Sequence, residues 1–150
     1  MNENEWVLIE KKQRKKKSQQ NKTNNLDLNN LIQIILYVLT KYDPYAIYIY
    51  GSRARGTNRI DSDVDILVFW KRSNKNINKL INIKEELILN LKIDVDFINM
   101  ILINKFVTEY NEHNKCFYEN ILNDGICIFE QENNDLSDLF EKSIKLNRIE

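Results

Sequence analysis

Asp63 and Asp65 stand two residues apart in Ser62-Asp-Val-Asp65, at the head of the apolar run Ile66-Leu-Val-Phe-Trp70. Side chains alternate along a strand, so residues at i and i+2 point to one face. Asp94 and Asp96 repeat that spacing just before Phe97-Ile98. Carboxylate oxygens, with phosphate and water, are the ligands that Mg²⁺ prefers. Upstream, Gly51-Ser52 closes a second apolar run, Tyr45-Ala-Ile-Tyr-Ile-Tyr50. A glycine lets the backbone approach phosphate closely. A turn that opens a helix aims N–H groups at an anion. Paired carboxylates beside such a turn make a site for a divalent metal and a nucleotide. Four acids projecting from an apolar sheet are costly without cations, which weighs against their being ordinary exposed strand residues.

Gly51-Ser52, ten intervening residues and Asp63-Val64-Asp65 resemble the GS…DxD signature of the nucleotidyltransferase superfamily. Ala54-Arg55-Gly56 and Ser62-Asp63-Val64-Asp65 are similar to the ARG and SDxD elements of its small single-domain branch, the minimal nucleotidyltransferases. The resemblance runs from about Leu28 to Glu130 and does not reach the N-terminal tail. It implies a DNA polymerase beta-like palm fold. It also implies metal-dependent transfer of a nucleoside monophosphate, AMP from ATP, to a hydroxyl acceptor. Gly51, Ser52 and Arg55 would bind nucleotide. Asp63, Asp65 and a third carboxylate would be catalytic and would ligate Mg²⁺ or Mn²⁺. Two such ions about 3.5–4 Å apart stabilise the attacking and leaving oxygens of an in-line displacement.

Spacing alone leaves Asp94 and Asp96 equivalent as the third acid. The family pattern is an Asp, two apolar residues, a variable one and another apolar one. Asp96-Phe-Ile-Asn-Met100 matches it better than Asp94-Val-Asp-Phe-Ile98, which implies Asp96, with Asp94 beside it. Arg55 reads as a phosphate contact, since guanidinium can bind phosphate in bidentate fashion. For Arg53, phosphate contact and a solvated surface position both stand. Ser62 reads as a brace for the turn, and Arg59 and Asp61 as surface loop residues. Relatives in this branch often act as antitoxins that modify a HEPN-domain toxin. The resemblance therefore implies a macromolecular acceptor, protein or RNA, or a partner subunit that completes the site; no large second domain is visible to shape a small-molecule pocket. A rival reading is a nucleotide- or nucleic-acid-binding module with little catalysis. Three aligned carboxylates would have no evident use in it. No GxxxxGK[ST] loop is present, which weighs against a phosphate-loop kinase or ATPase.

The elements that must position these residues are legible from periodicity. Leu28, Leu31, Ile32, Ile35, Leu39 and Tyr42 follow helical 3–4 spacing, with Asp27 as N-cap and Asp43-Pro44 as the stop. Strands are expected at Tyr45–Tyr50, at Ile66–Trp70 and from Lys92 to about Met100. A helix at Ile77–Leu91 links the second and third. Lys115–Leu122 reads as a helix ending at Gly125, Ile126–Phe129 as a strand, and Leu136–Leu146 as a last, weakly amphipathic helix. The fold class that follows is α/β (α+β), a small mixed sheet of about four strands flanked by helices.

With 43% hydrophobic and 29% charged residues, the 150-residue chain has the composition of one soluble domain. Its net charge is zero but uneven: residues 1–25 hold seven Lys/Arg against three Asp/Glu, +4, which leaves −4 for the rest. The expected organisation is a disordered basic tail at 1–25 and a nucleotidyltransferase domain at 26–150. The run Lys11-Lys-Gln-Arg-Lys-Lys-Lys17 reads equally as a solvated tail and as a nucleic-acid or nuclear-import patch. His113 reads as structural or solvated. Cys116 and Cys127 read as reduced thiols, packed as small buried hydrophobes. No apolar run approaches a membrane span, and the N-terminus lacks a signal-peptide core. An intracellular setting, cytoplasmic or nuclear, is the expectation.

Overall fold

A computed structural model describes residues 26–71, 77–102 and 115–149. The basic tail, the Lys71–Lys75 loop beyond Lys71, and His113 lie outside the described residues. In chain order the elements are α1 (Leu28–Leu39), β1 (Ala46–Tyr50), α2 (Ser52–Arg55), β2 (Val64–Trp70), α3 (Ile77–Leu91), β3 (Val95–Leu102), α4 (Lys115–Asp124), β4 (Ile126–Glu130), α5 (Leu136–Lys142) and β5 (Ser143–Ile149).

The strands form one sheet in the order β4-β1-β2-β3-β5. β2 and β3 run parallel, joined through α3. The other three pairings are antiparallel. Every residue of β1 is buried, and of β2 only Asp65 is not. That two-sided burial is why both strands read as continuous apolar runs rather than alternating ones. On one face Ile47, Ile49, Val64, Ile66, Val95 and Phe97 pack with α1 and α3. On the other, Tyr48, Tyr50, Leu67, Phe69, Ile98 and Met100 pack with Tyr118 and Ile121 of α4 and Leu139 and Phe140 of α5.

Asp27 caps α1 as expected, its Oδ1 accepting from the Asn30 N–H at 2.8 Å. The helix tightens into a 3₁₀ turn at Thr40–Tyr42, and Asp43 takes a left-handed φ of 60° before Pro44. Lys41 Nζ and the Tyr42 hydroxyl both donate to Glu86, tying this end of α1 to α3.

Two expectations change. The segment read as a single helix over Leu136–Leu146 is helical only to Lys142; Ser143–Ile149 is a fifth strand, antiparallel to β3. Ile144-Lys-Leu-Asn147 alternates with period two, and β3 would otherwise leave a row of unpaired backbone groups at the sheet edge. Cys116 and Cys127 are exposed rather than buried. Cys127 sits on the edge strand β4 and Cys116 in the first turn of α4, both turned outward. Gly125 does follow α4, but not for its φ, since only Gly51 and Gly56 take positive values. A Cβ at Gly125 would lie 2.8 Å from the Ile121 carbonyl oxygen and 3.0 Å from Leu136 Cδ2. Close packing, not turn geometry, requires the glycine there.

Candidate active site

The sheet register brings the acids together. Asp65 is the Cα partner of Asp96 in the parallel β2–β3 ladder, and Tyr50 is the partner of Asp65 across β1–β2. Asp65 shares the strand face of Leu67 and Phe69, and Asp96 that of Ile98 and Met100. Both carboxylates are half-buried where this apolar layer ends. Asp63 stands two residues earlier, just outside β2 and exposed. Asp94 is also exposed and precedes β3; its main-chain carbonyl accepts from the Val64 N–H at 2.9 Å. Register thus sets Asp96, not Asp94, opposite Asp65.

Gly51 lies at the junction of β1 and α2 with φ 78° and ψ −159°, a combination open essentially to glycine alone. The Asp65 carboxylate is folded against it: a Cβ on Gly51 would stand 2.0 Å from Asp65 Oδ2. Ser52 opens α2, whose first N–H groups have no partner within the helix. Gly56, with a left-handed φ of 79°, ends it. The motif is therefore strand, glycine hinge, one helical turn, loop and strand, with the glycine in contact with the second Asp of the DxD.

The donors suit a hard cation: Asp65 and Asp96 are paired in the sheet register, Asp65 beside the cradle at Gly51, and Asp63 precedes them just outside β2. Among the described residues, however, no three His, Cys, Asp or Glu side chains are gathered closely enough to hold a metal ion. The backbone register aligns Asp65 with Asp96.

Arg53 and Arg55 make contacts that sequence reading did not find. Arg53 is not a solvated surface residue: it is 4% exposed. Its Nε and Nη2 both donate to the Ser62 carbonyl oxygen, at 3.1 and 3.0 Å. Nη2 also reaches the Ile60 and Arg59 carbonyls at 3.2 and 3.4 Å. Burial lowers its pKa, and the Asp63 carboxylate opposes that shift. The Arg55 guanidinium pairs with Asp124 at the end of α4, Nη1 to Oδ2 at 2.6 Å, and its side chain remains half exposed. No local pattern announces either contact, because each partner is fixed by the fold. Ser62 braces the loop as expected, its Oγ accepting from the Arg59 N–H at 2.8 Å. Arg59 and Asp61 are exposed, 3.7 Å apart.

A depression of about 370 Å³ beside α2 is lined by Leu26, Asp27, Leu31, Arg53, Arg55 and Asn58, among others. It opens toward the α1 side, and none of the four acids lines it. No described helix is long and apolar enough to cross a membrane.

The profile of the family "Polymerase beta, Nucleotidyltransferase" matches residues 29–134. No curated protein sequence matches the chain. Among solved structures, the chain is similar to a toxin–antitoxin determined with AMP-PNP, at 20% identity and a TM-score of 0.55, over 73% of this chain and 80% of that one. It is likewise similar to two mutants of the toxin–antitoxin MntA–HpeT, at 20% and 22% identity and TM-scores of 0.51. Those matches cover 77% and 78% of this chain and 82% and 81% of the others. At such identities the likeness is one of fold. The profile spans more than half of the sequence, and with the register of the GS…DxD residues it decides the matter: the chain belongs to the polymerase beta nucleotidyltransferase family and is a nucleotidyltransferase.

Proposed function

We propose that the chain transfers a nucleoside monophosphate, AMP from ATP, to a hydroxyl on a macromolecular acceptor, as an antitoxin-like enzyme working with a partner subunit. The observation that carries the reading is the pairing of Asp65 with Asp96 in the β2–β3 ladder, with Asp65 packed on Gly51. In the proposed reaction the acceptor oxygen attacks the α-phosphorus, its bond to the bridging oxygen breaks, and pyrophosphate leaves. Gly51 and Ser52 hold the triphosphate against the turn. Asp63, Asp65 and Asp96 would hold Mg²⁺ or Mn²⁺, which would supply charge stabilisation on the entering and leaving oxygens. Asp96 takes the acceptor's proton in this reading, which its position on the strand neighbouring the DxD supports.

Adenine is favoured as the base by the AMP-PNP in one structure of similar fold, and a partner subunit by the toxin–antitoxin pairs among them. A protein hydroxyl fits that setting better than an RNA end. The test is transfer from α-labelled ATP, GTP, CTP and UTP, with Mg²⁺ or Mn²⁺, to total cell protein and total cell RNA. Label from ATP on one protein band, lost in Asp63→Asn/Asp65→Asn, supports the reading. Label on RNA alone would replace the acceptor class. Undiminished label in the double variant would sink the mechanism.

A further inference from the structure

The buried guanidinium of Arg53 interacts electrostatically with Asp63, and the proposed transfer reaction does not use it. Its hydrogen bonds go to main-chain carbonyls, and the Asp63 carboxylate acts on it through charge alone. Two of its nitrogens converge on the Ser62 oxygen, and one of them also spans to Ile60 and Arg59. A buried charge must be compensated, and here three carbonyl dipoles do so. The loop is closed on itself around this plug: the Ser62 N–H donates to the Arg59 oxygen at 3.1 Å, and the Ser62 hydroxyl accepts from the Arg59 N–H.

The Ser62 carbonyl belongs to the peptide that leads into Asp63. Two hydrogen bonds from one rigid plane fix the orientation of that peptide. On the far side of Asp63, the Val64 N–H is fixed by the Asp94 carbonyl at 2.9 Å. Asp63 is exposed and lies outside the strand, yet both peptides that flank it are pinned. Without the first pin, the Asp63 carboxylate would rest on a loop free to turn about one anchored end.

We propose that Arg53 is a positioning residue for the metal site, fixing the Ser62–Asp63 peptide so that the Asp63 carboxylate stays aligned with Asp65, and that it does not bind the triphosphate. This rests on the nucleotidyl-transfer reading above. The planar fork is the feature required. Lysine would keep the charge but offers one point donor, which cannot reproduce the double contact to Ser62 together with the reach to Ile60.

The experiment compares the full chain with Arg53→Lys and Arg53→Gln. Mn²⁺ binding is read directly by electron paramagnetic resonance, with and without a non-reactive α,β-methylene analogue of ATP. Transfer kinetics are measured in parallel. Trp70→Phe, remote from the acids, serves as a control for lowered stability alone. The expected result is folded Arg53 variants with at least tenfold weaker Mn²⁺ binding, a kcat reduced by a similar factor, and a KM for ATP within about twofold of the parent. The Trp70→Phe control should bind Mn²⁺ normally. Unchanged Mn²⁺ affinity with a raised KM for ATP would make Arg53 a triphosphate ligand and overturn the proposal. So would unchanged binding and kinetics, or failure of both variants to fold, either of which would leave Arg53 a residue of the scaffold only. If the parent itself bound no Mn²⁺ even with the nucleotide analogue, the metal reading underneath would fail first, a result distinct from the others.

Discussion

Gly51→Ala should separate backbone strain from a steric contact with Asp65. The new Cβ has two consequences. It forces alanine into a backbone region essentially reserved for glycine, φ 78° and ψ −159°, at about 1–3 kcal/mol. It also lands 2.0 Å from Asp65 Oδ2 and 3.0 Å from Asp65 Cγ. Relieving that overlap by moving the carboxylate costs about 1–3 kcal/mol more, as overpacking does. Gly56→Ala supplies the comparison: its φ is 79°, but a Cβ there meets nothing within 4 Å, so only a left-handed penalty of about 1–2 kcal/mol remains. At about 2–4 °C per kcal/mol for a chain of this size, Gly51→Ala should lower Tm by roughly 5–20 °C and Gly56→Ala by roughly 2–8 °C. A double-mutant cycle isolates the contact. In an Asp65→Ala background the cost of Gly51→Ala should shrink by about 1–3 kcal/mol, measured by urea unfolding. Activity should fall further than stability, since displacing a reacting group by about 1 Å can cost about a hundredfold. Equal losses at both glycines, with no coupling to Asp65, would refute the reasoning.

Other perturbations follow from single contacts. Trp70→Phe removes the donor of the buried bond from Nε1 to Asn99 Oδ1, 2.7 Å, and should cost about 1–3 kcal/mol in urea unfolding with transfer unaffected. Arg55→Ala and Asp124→Ala each break a partly exposed ion pair and should cost under about 1 kcal/mol; a several-fold rise in KM for ATP in Arg55→Ala alone would show that the guanidinium leaves Asp124 for the triphosphate. Burial, with the bond to Glu132, pushes the Tyr45 hydroxyl up to about 12 from its ordinary 10.0. The folded chain therefore holds that proton more tightly than the unfolded one. The resulting stabilisation is complete below pH 10 and is lost as pH rises toward about 12. Tyr45→Phe should flatten that part of the stability–pH curve, while Tyr48, raised further by its burial, leaves a residual slope.

The residues that pattern could reach were those whose environment is set within one element. Strands β1 and β2 are apolar on both faces, so their runs are unbroken in sequence; the Asp27 cap and the Asp43-Pro44 stop are local chemistry. The GS and DxD residues were legible because ten residues suffice for one helical turn and a loop between antiparallel strands. Spacing left Asp94 and Asp96 equivalent because alternation fixes only the face; register distinguishes them, and register depends on where β3 begins. Arg53 and Arg55 were opaque for a related reason. Two arginines two residues apart look alike in sequence, yet one is swallowed by a loop that follows it and the other meets a helix almost seventy residues away. β5 was hidden because one short window holds the end of a helix and the start of a strand, and the deciding interaction is the open edge of β3.

The most direct measurement is the stoichiometry of the reaction itself, using ATP labelled at the α- or the γ-phosphate with the acceptor found in the transfer screen. Nucleotidyl transfer predicts that α-label enters the acceptor one for one with pyrophosphate released, and that γ-label stays out of it. Asp65→Asn and Asp96→Asn, which keep side-chain shape and lose charge, should each abolish both signals. Incorporation of γ-label with release of ADP, or full activity in either variant, would contradict a site built on the pairing of Asp65 with Asp96.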